Sequence, residues 1–109
     1  MNENPINKAS VVPIEVLKGI FRKTLIYNEN LMLCFFKLNK DAEIPMHNHE
    51  SQQIGYVLKG KIKFITENDD FLATRGDSYV FESYEKHGAK LIEDTEIIEV
   101  FYPTRDDYK

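Results

Sequence analysis

The sequence predicts an all-β protein of one domain, either a β-sandwich or a closed barrel. Its 109 residues are enough for one hydrophobic core and too few for two. Short runs rich in β-branched and aromatic residues alternate with turn-forming residues along the chain. No segment carries apolar residues at helical spacing over three turns. Many short strands at regular spacing are typical of sandwiches and barrels.

The first part of the chain contains three predicted strands after a polar N-terminal segment. Residues 1–10 are expected to form a flexible arm, and the barrel domain is expected to span residues 11–109. Asn28-Glu29-Asn30 separates the second strand from the third, and Asn39-Lys40-Asp41 ends the third, because these residues tolerate turns. The three strands are expected at Ile14–Leu17, Ile20–Tyr27 and Leu31–Leu38.

Three turn signals divide the second part of the chain. Lys59-Gly60 predicts a tight connection, and the acidic run Glu67–Asp70 predicts a solvated hairpin tip. Arg75-Gly76-Asp77 is interpreted as the turn that opens the next strand. The strands around these turns are expected at Gln53–Leu58, Lys61–Thr66, Phe71–Ala73, Ser78–Phe81, Ala89–Glu93 and Glu96–Tyr102.

Composition excludes several function classes. A formal net charge of -4 and a pI of about 5.3 argue against nucleic-acid binding, which favours basic patches. No apolar run approaches the length of a transmembrane helix, and residues 1–5 lack the basic flank and apolar stretch of a signal peptide. The single cysteine, Cys34, lies in an apolar run and is expected to be a buried small hydrophobe. One cysteine forms no intramolecular disulfide, so we expect a reducing, cytoplasmic location.

The histidines indicate a metal site. Positions 47, 49 and 53 share parity, so on one strand His47, His49 and the Gln53 amide would face the same interior. His87 lies far along the chain on a second predicted strand. Neutral imidazole is the commonest protein ligand for a transition metal, and an amide oxygen is a weaker fourth ligand. Gly55, at the same parity, is expected to leave room for a metal and its substrate.

These residues resemble the two motifs of the cupin superfamily. The stretch from His47 through Gly60 follows the first motif, with Gln53 where the family usually has glutamate. The stretch from Gly76 to His87 follows the second in its glycine and histidine, although Glu82 and Tyr84 replace the family proline and glycine. The resemblance implies a single-domain cupin, a jelly-roll barrel of the double-stranded β-helix type. It also implies one divalent transition metal held by His47, His49, Gln53 and His87.

The C-terminal tail narrows the resemblance to one group of cupins. The run from Ile98 to Tyr108 is similar to the tail of the KdgF-type pectin-degradation cupins, which linearise 4,5-unsaturated uronates to open-chain keto-deoxyuronates. The group also uses glutamine as fourth ligand. Its pattern is matched by His47, His49, Gln53, Tyr56, Val57, Leu58 and Gly60.

This second resemblance implies roles for three tail residues. Phe101 would contact the substrate, Arg105 would bind it, and Glu99 would stand where the group has a catalytic aspartate. The resemblance to small cupins also implies a two-fold homodimer, which is expected to use the arm before Pro13. From the residues alone, Glu99 can instead face outward, Phe101 can be plain core, and Arg105 can simply pair with Asp106 or Asp107.

Three functions remain open at the level of sequence. The first is linearisation of a sugar acid by a metal-dependent enzyme, with Glu99 as general acid or base. The second is a metal-dependent dioxygenase, because three imidazoles with open positions suit iron. The third is a non-catalytic module that binds a sugar or a metal. Nickel, zinc, manganese, iron, cobalt and copper all accept the expected ligand set.

Overall fold

The computed structural model describes residues 3–109, so Met1 and Asn2 of the expected N-terminal arm lie outside the described residues. Over this range the chain forms ten strands, and the all-β prediction is confirmed. The strands are β1 Ile14–Leu17, β2 Ile20–Tyr27, β3 Met32–Leu38, β4 Glu43–His47, β5 Gln52–Lys59, β6 Lys61–Thr66, β7 Phe71–Thr74, β8 Ser78–Phe81, β9 His87–Leu91 and β10 Thr95–Tyr102. No helix among the described residues is long and apolar enough to cross a membrane.

Two antiparallel sheets form the barrel. One has six strands in the order β1-β2-β3-β10-β5-β8, and the other has four in the order β4-β9-β6-β7. Strands far apart in sequence are therefore neighbours, as β10 is between β3 and β5. The inner faces of the two sheets contribute one core, whose largest fully buried side chains include Phe81, Phe101, Ile20, Met32 and Leu38.

Side chains on β5 and β10 alternate between the inner and the outer face of the sheet. On β5 the odd positions from Gln53 to Val57 are buried and the even positions are exposed. On β10 the buried set includes Glu99 and Phe101. Residues 53 and 101 are cross-strand partners, as are Gly55 and Glu99. The pleat thus places two polar side chains, Gln53 and Glu99, on the inner face beside the core.

The strand β4 was not predicted, and the sequence placed His47, His49 and Gln53 on one strand. That prediction is wrong, because β4 ends at His47 in the four-stranded sheet, while Gln53 lies on β5 in the six-stranded sheet. Pro45 interrupts the strand pattern but is tolerated here since β4 is an edge strand. The register shifts between Ile44 and His47, and beyond this irregularity His47 pairs with His87.

Part of the N-terminal segment packs on the outside of the barrel. Lys8–Ser10 form a short 3-10 helix, capped by the Asn7 side chain, which accepts a hydrogen bond from the Ala9 amide at 2.8 Å. The Lys8 ammonium lies 4.2 Å above the Phe35 ring on β3. The division of the chain at residue 10 stays a prediction.

Candidate metal centre and its cavity

The three histidines converge although they come from separate segments. His47 ends β4, His87 begins β9, and His49 lies between β4 and β5. One potential ligand atom from each histidine lies within 4.8 Å of those of the other two. Their ring centroids are 4.5 Å apart for His47 and His87, and 5.2 Å for His49 and His87. The cluster can therefore hold a metal ion.

Backbone carbonyls fix the tautomer of each ring. The Nδ1 atom of His47 lies 2.9 Å from the Pro45 carbonyl oxygen. His49 makes the same contact with Ser51 at 2.7 Å, and His87 makes it with Glu85 at 2.8 Å. Because a carbonyl only accepts, each Nδ1 carries the proton, and each neutral ring keeps its lone pair on Nε2. This is the orienting contact that metal-binding histidines use.

Burial favours the neutral form of the His49 and His87 rings. It is the main cause that lowers the pKa of His87 to about 4, and it also lowers the pKa of His49. His87 is only 4% exposed and stacks on Phe81, with ring centroids 4.3 Å apart and planes within 6°. Neutral imidazole is the form that binds a metal, so His49 and His87 are in that form near neutral pH.

One nitrogen in the cluster supports this fit directly. The Nε2 atom of His49 is buried and has no hydrogen-bond partner. A buried polar atom without a partner costs free energy unless a ligand satisfies it. A cation at the centre of the cluster would do so, and the donor set therefore fits a divalent transition metal.

Gln53 approaches the histidine cluster from β5 in the six-stranded sheet. Its side-chain nitrogen donates to Glu99 Oε2 at 2.8 Å, which identifies the remaining amide oxygen as its possible ligand atom. The Gln53 amide also raises the pKa of His49, against the larger effect of burial. The structure thus brings Gln53 close to the histidine cluster, although it is not on their strand.

Glu99 faces inward and is 6% exposed, so it is not the surface carboxylate that the sequence left open. Its Oε2 atom accepts hydrogen bonds from the Tyr79 hydroxyl at 2.6 Å and from Gln53. Burial raises the pKa of Glu99 to about 7, although both hydrogen bonds and the charge of Arg105 act in the opposite direction. The two donors hold the carboxylate in one place.

Tyr79 is a site residue that the sequence reasoning missed. Gly55 was expected to leave room for metal and substrate, but a Cβ atom there would lie 2.3 Å from the Tyr79 hydroxyl. The space above Gly55 therefore belongs to the Tyr79 ring, and that expectation is corrected. The strand register explains the contact between Tyr79 and Glu99, because Gly55 pairs with Tyr79 on one side and with Glu99 on the other.

A cavity of about 350 Å³ connects these groups. Its polar lining residues are His47, Gln53, His87, Glu99, Arg105, Asp107 and Tyr108. Phe101 also lines it and is 1% exposed, so this residue is both core and cavity wall. Much of the remaining lining is apolar and includes Ile20, Phe36, Leu38, Ile62 and Ile97.

The C-terminal tail closes one side of the cavity. Arg105 forms an ion pair with Asp107 at 3.1 Å, one of the alternatives open from sequence, and it lines the cavity as well. Its guanidinium lies 3.8 Å from the Tyr108 ring centroid, and that of Arg22 lies 4.3 Å from the same centroid. Thr24 Oγ1 donates to the Tyr108 carbonyl oxygen. Sequence reasoning missed both Tyr108 and Arg22.

Comparison with solved structures places the chain among small cupins. KdgF from Halomonas sp. is 31% identical, with a TM-score of 0.89, over 95% of this chain and 98% of that one. An RmlC-like cupin from Shewanella frigidimarina is 26% identical, with a TM-score of 0.93, over 99% and 97%.

More distant structures share the fold alone. The polyketide cyclase RemF from Streptomyces resistomycificus is 18% identical, with a TM-score of 0.82, over 95% of this chain and 81% of that one. No protein of curated function matched the sequence.

The family model described as a cupin domain matches residues 34–101, which include the three histidines, Gln53, Glu99 and Phe101. The chain therefore belongs to the cupin family.

Proposed function

We propose that this protein linearises 4,5-unsaturated uronates to open-chain keto-deoxyuronates, using one divalent transition metal. One observation carries the proposal: six of the seven site residues implied by the resemblance to KdgF-type cupins line one cavity, and the seventh, His49, belongs to the histidine cluster beside it. Gln53, Glu99, Phe101 and Arg105 line it together with His47 and His87. The likeness to KdgF over nearly the full length of both chains supports it.

The proposed metal ligands are His47, His49, His87 and the amide oxygen of Gln53. All four donors are neutral, so a divalent ion keeps its full formal charge and supplies Lewis acidity to a substrate oxygen. The metal's identity stays open among nickel, zinc, manganese, iron, cobalt and copper.

Arg105 and Phe101 bind the substrate in this proposal. A guanidinium can form two parallel hydrogen bonds to the uronate carboxylate, and the side chain of Arg105 is only 15% exposed. Stacking on Tyr108 restricts the guanidinium before substrate arrives. Phe101 offers an apolar surface to the sugar ring at the cavity wall.

Glu99 moves the proton. Ring opening is an isomerisation in which the anomeric hydroxyl loses a proton and the bond from the anomeric carbon to the ring oxygen breaks. The resulting enolate then gains a proton at carbon 4, so a single carboxylate can accept the first proton and return the second. Both hydrogen bonds to Glu99 end on Oε2, so Oε1 is the oxygen proposed to face the substrate.

Three further properties accompany this function as proposals. The single cysteine, Cys34, is free and buried, which supports a reducing and hence cytoplasmic location. The substrate is a small molecule. Nucleic acid is not a proposed partner, because a net charge of -4 disfavours contact with its phosphate backbone. The homodimer that the resemblance implies stays a prediction.

The test follows the ultraviolet absorbance of 4,5-unsaturated galacturonate with metal-loaded protein, with and without a chelator. We expect loss of absorbance well above the spontaneous rate, abolished by chelation and restored by metal. Glu99→Gln should lower the rate by about 10²–10⁴-fold without loss of bound metal. Glu96→Gln is the matched control, because Glu96 lies on the same strand and is not among the cavity-lining residues.

Failure of metal-loaded protein to accelerate the reaction would overturn the proposal. Oxygen consumption with candidate substrates would then favour a dioxygenase, and saturable sugar binding without turnover would favour a binding module. If Glu99→Gln and Glu96→Gln were equally active, the assigned role of Glu99 would be wrong.

A further inference from the structure

The cavity continues past the polar site residues into the interior of the barrel. On β10, both Phe101 and Ile97 line it. Leu38, the partner of Thr95 on β3, lines it as well, and so does Ile20, which pairs with Leu38 from β2. Six residues along β10 separate Phe101 from the row of Thr95 and Leu38, which is roughly 20 Å at about 3.4 Å per residue. The cavity is therefore elongated along the strands.

Polar and apolar side chains line different parts of this length. Gln53 is level with Phe101 across β5 and β10, and Glu99 lies one inward-facing position deeper. On the four-stranded sheet the polar lining residues are His47 and His87, which pair with each other. Beyond Glu99 the lining residues of the six-stranded sheet are apolar and form what we call the inner end of the cavity. They include Leu17, Ile20, Phe36, Leu38 and Ile97.

A uronate accounts for the outer end of the cavity alone. Its carboxylate and hydroxyls can meet Arg105, Glu99 and the histidine cluster there. At the inner end a hydroxyl would lose its water and gain no hydrogen-bond partner from the apolar wall, which costs free energy. Apolar cavities stay dry and bind apolar molecules instead. The inner end therefore suits an apolar group.

We propose that this cavity binds monocarboxylic acids with a straight apolar chain, the carboxylate at Arg105 and the chain at the inner end. A guanidinium has five N–H donors, and the ion pair with Asp107 engages one nitrogen of Arg105, so donors remain for a ligand carboxylate. Its volume of about 350 Å³ lies within the range of about 300–1,000 Å³ for small-molecule pockets.

The length of the cavity favours a chain over a second ring. A straight chain that starts at Arg105 can extend past Glu99 to Ile97 and Leu38, whereas a single ring at the outer end does not reach them. The acid and the uronate would compete for the outer end. The proposal concerns binding and does not depend on turnover of a uronate.

Isothermal titration calorimetry of the full chain with straight-chain acids from butanoate to decanoate tests the proposal. We expect saturable binding with a dissociation constant that falls about fourfold for each added methylene, as burial of that group predicts, until the chain fills the inner end. Octanamide should bind at least about tenfold more weakly than octanoate, because its neutral head lacks the charge-assisted hydrogen bonds to Arg105.

Two substitutions at the inner end should change the chain length at which this gain in affinity stops. Ile97→Phe adds volume to the cavity wall, so the gain should stop at a shorter acid. Leu38→Ala removes volume and should let a longer acid gain affinity. Leu91→Ala is the matched control, since Leu91 is 2% exposed against 1% for Leu38 and is not among the cavity-lining residues. It should leave the limiting chain length unchanged.

Circular dichroism of each variant shows whether the fold is retained, and general destabilisation does not shift the limit in opposite directions in Ile97→Phe and Leu38→Ala. Equal affinities for butanoate and octanoate would overturn the proposal. So would a limiting chain length that neither variant changes, because the acids would then bind outside the cavity. Binding that depends on chain length, in a protein without uronate turnover, would refute the proposed function and support this inference.

Discussion

Glu99 has one methylene more than the aspartate expected at its position from the resemblance to KdgF-type cupins, and its neighbours are arranged around the longer side chain. Tyr79 and Gln53 both donate to Oε2. Tyr79 reaches that oxygen only because Gly55 has no side chain. The position of the carboxylate is thus a joint property of four residues on three neighbouring strands.

This arrangement predicts that Glu99→Asp lowers activity, although it restores the residue expected from the family. Shortening the side chain withdraws the carboxylate from both donors, and a misplacement of ~1 Å can cost about a hundredfold in rate. The measurement is kcat/KM on the unsaturated uronate with bound metal quantified in parallel. Glu96→Asp is the control on the same strand.

Tyr79→Phe tests the same contact without moving the backbone or shortening Glu99. It should lower kcat with little change in KM, since the hydroxyl touches Glu99 and is not expected to bind the substrate. If Glu99→Asp were as active as the wild type, the contacts of Glu99 with Tyr79 and Gln53 would not position it for the reaction.

Cys34 predicts a pH dependence of stability that is separate from the metal site. It is fully buried, and burial raises the pKa of its thiol from 9.0 to about 11. The folded chain therefore holds the thiol proton more tightly than the unfolded chain. The stability that this provides is complete below the unfolded value and is lost as the pH rises through about 11.

We expect the free energy of unfolding of the wild type to fall more steeply with rising pH than that of Cys34→Ala. Urea unfolding of both proteins at several values between pH 8 and pH 11 measures it. Parallel curves would contradict a raised pKa at Cys34.

At the scale of elements, the C-terminal 3-10 helix Asp106–Tyr108 positions Arg105. Tyr108 contacts the guanidiniums of Arg22 and Arg105, and its ring packs edge-on against Phe101 at 5.5 Å. The tail therefore forms part of the cavity wall.

Tyr108→Ala is expected to raise KM for the uronate more than it lowers kcat, because Arg105 then loses the ring that restricts it before binding. Initial rates over a range of substrate concentrations separate the two constants. Asp106→Asn is the control in the same short helix, since Asp106 pairs only with Lys109 at its surface. An unchanged KM in Tyr108→Ala would remove the tail from substrate binding.

The elements also show where reasoning from sequence succeeds. Glu99 and Phe101 share parity on β10, which runs without interruption through both, so the strand buries the two side chains on the same face. Parity failed between His47 and Gln53 because residues 48–51 carry the chain from one sheet to the other. Parity holds only within a continuous strand, and Pro45 in β4 concealed where that strand lay.

For the whole molecule, the cupin motif predicted the fold and the convergence of the histidines, but not the residues that surround them. Tyr79 and Arg22 carry no motif. Tyr79 contacts Glu99 from a strand that pairs with β5, and Arg22 contacts the C-terminal tail at Tyr108. Those contacts depend on which strands become neighbours, and the sequence pattern alone does not determine that order. The alternating apolar residues of β5 and β10 can be recognised in the sequence, but the sequence does not show that these two strands are neighbours.

Metal binding should raise the thermal stability of the protein, because the proposed ligands come from separate parts of the fold. A metal that binds only the folded chain adds about 2.7 kcal/mol at a hundredfold excess over its Kd. For a domain of this size that is a rise in Tm of roughly 10 °C. Thermal unfolding with nickel or zinc, and again after chelation, measures this shift without any substrate.

His49→Ala should abolish most of the shift, because it removes the buried nitrogen that lacks a partner. Asn48→Ala, an exposed neighbour in the same loop, should keep it. Gln53→Ala should lose part of it, since Gln53 is the proposed ligand from the six-stranded sheet and the histidines come from β4, β9 and the loop after β4. A full shift in Gln53→Ala would leave the histidines as the metal site and confine Gln53 to holding Glu99.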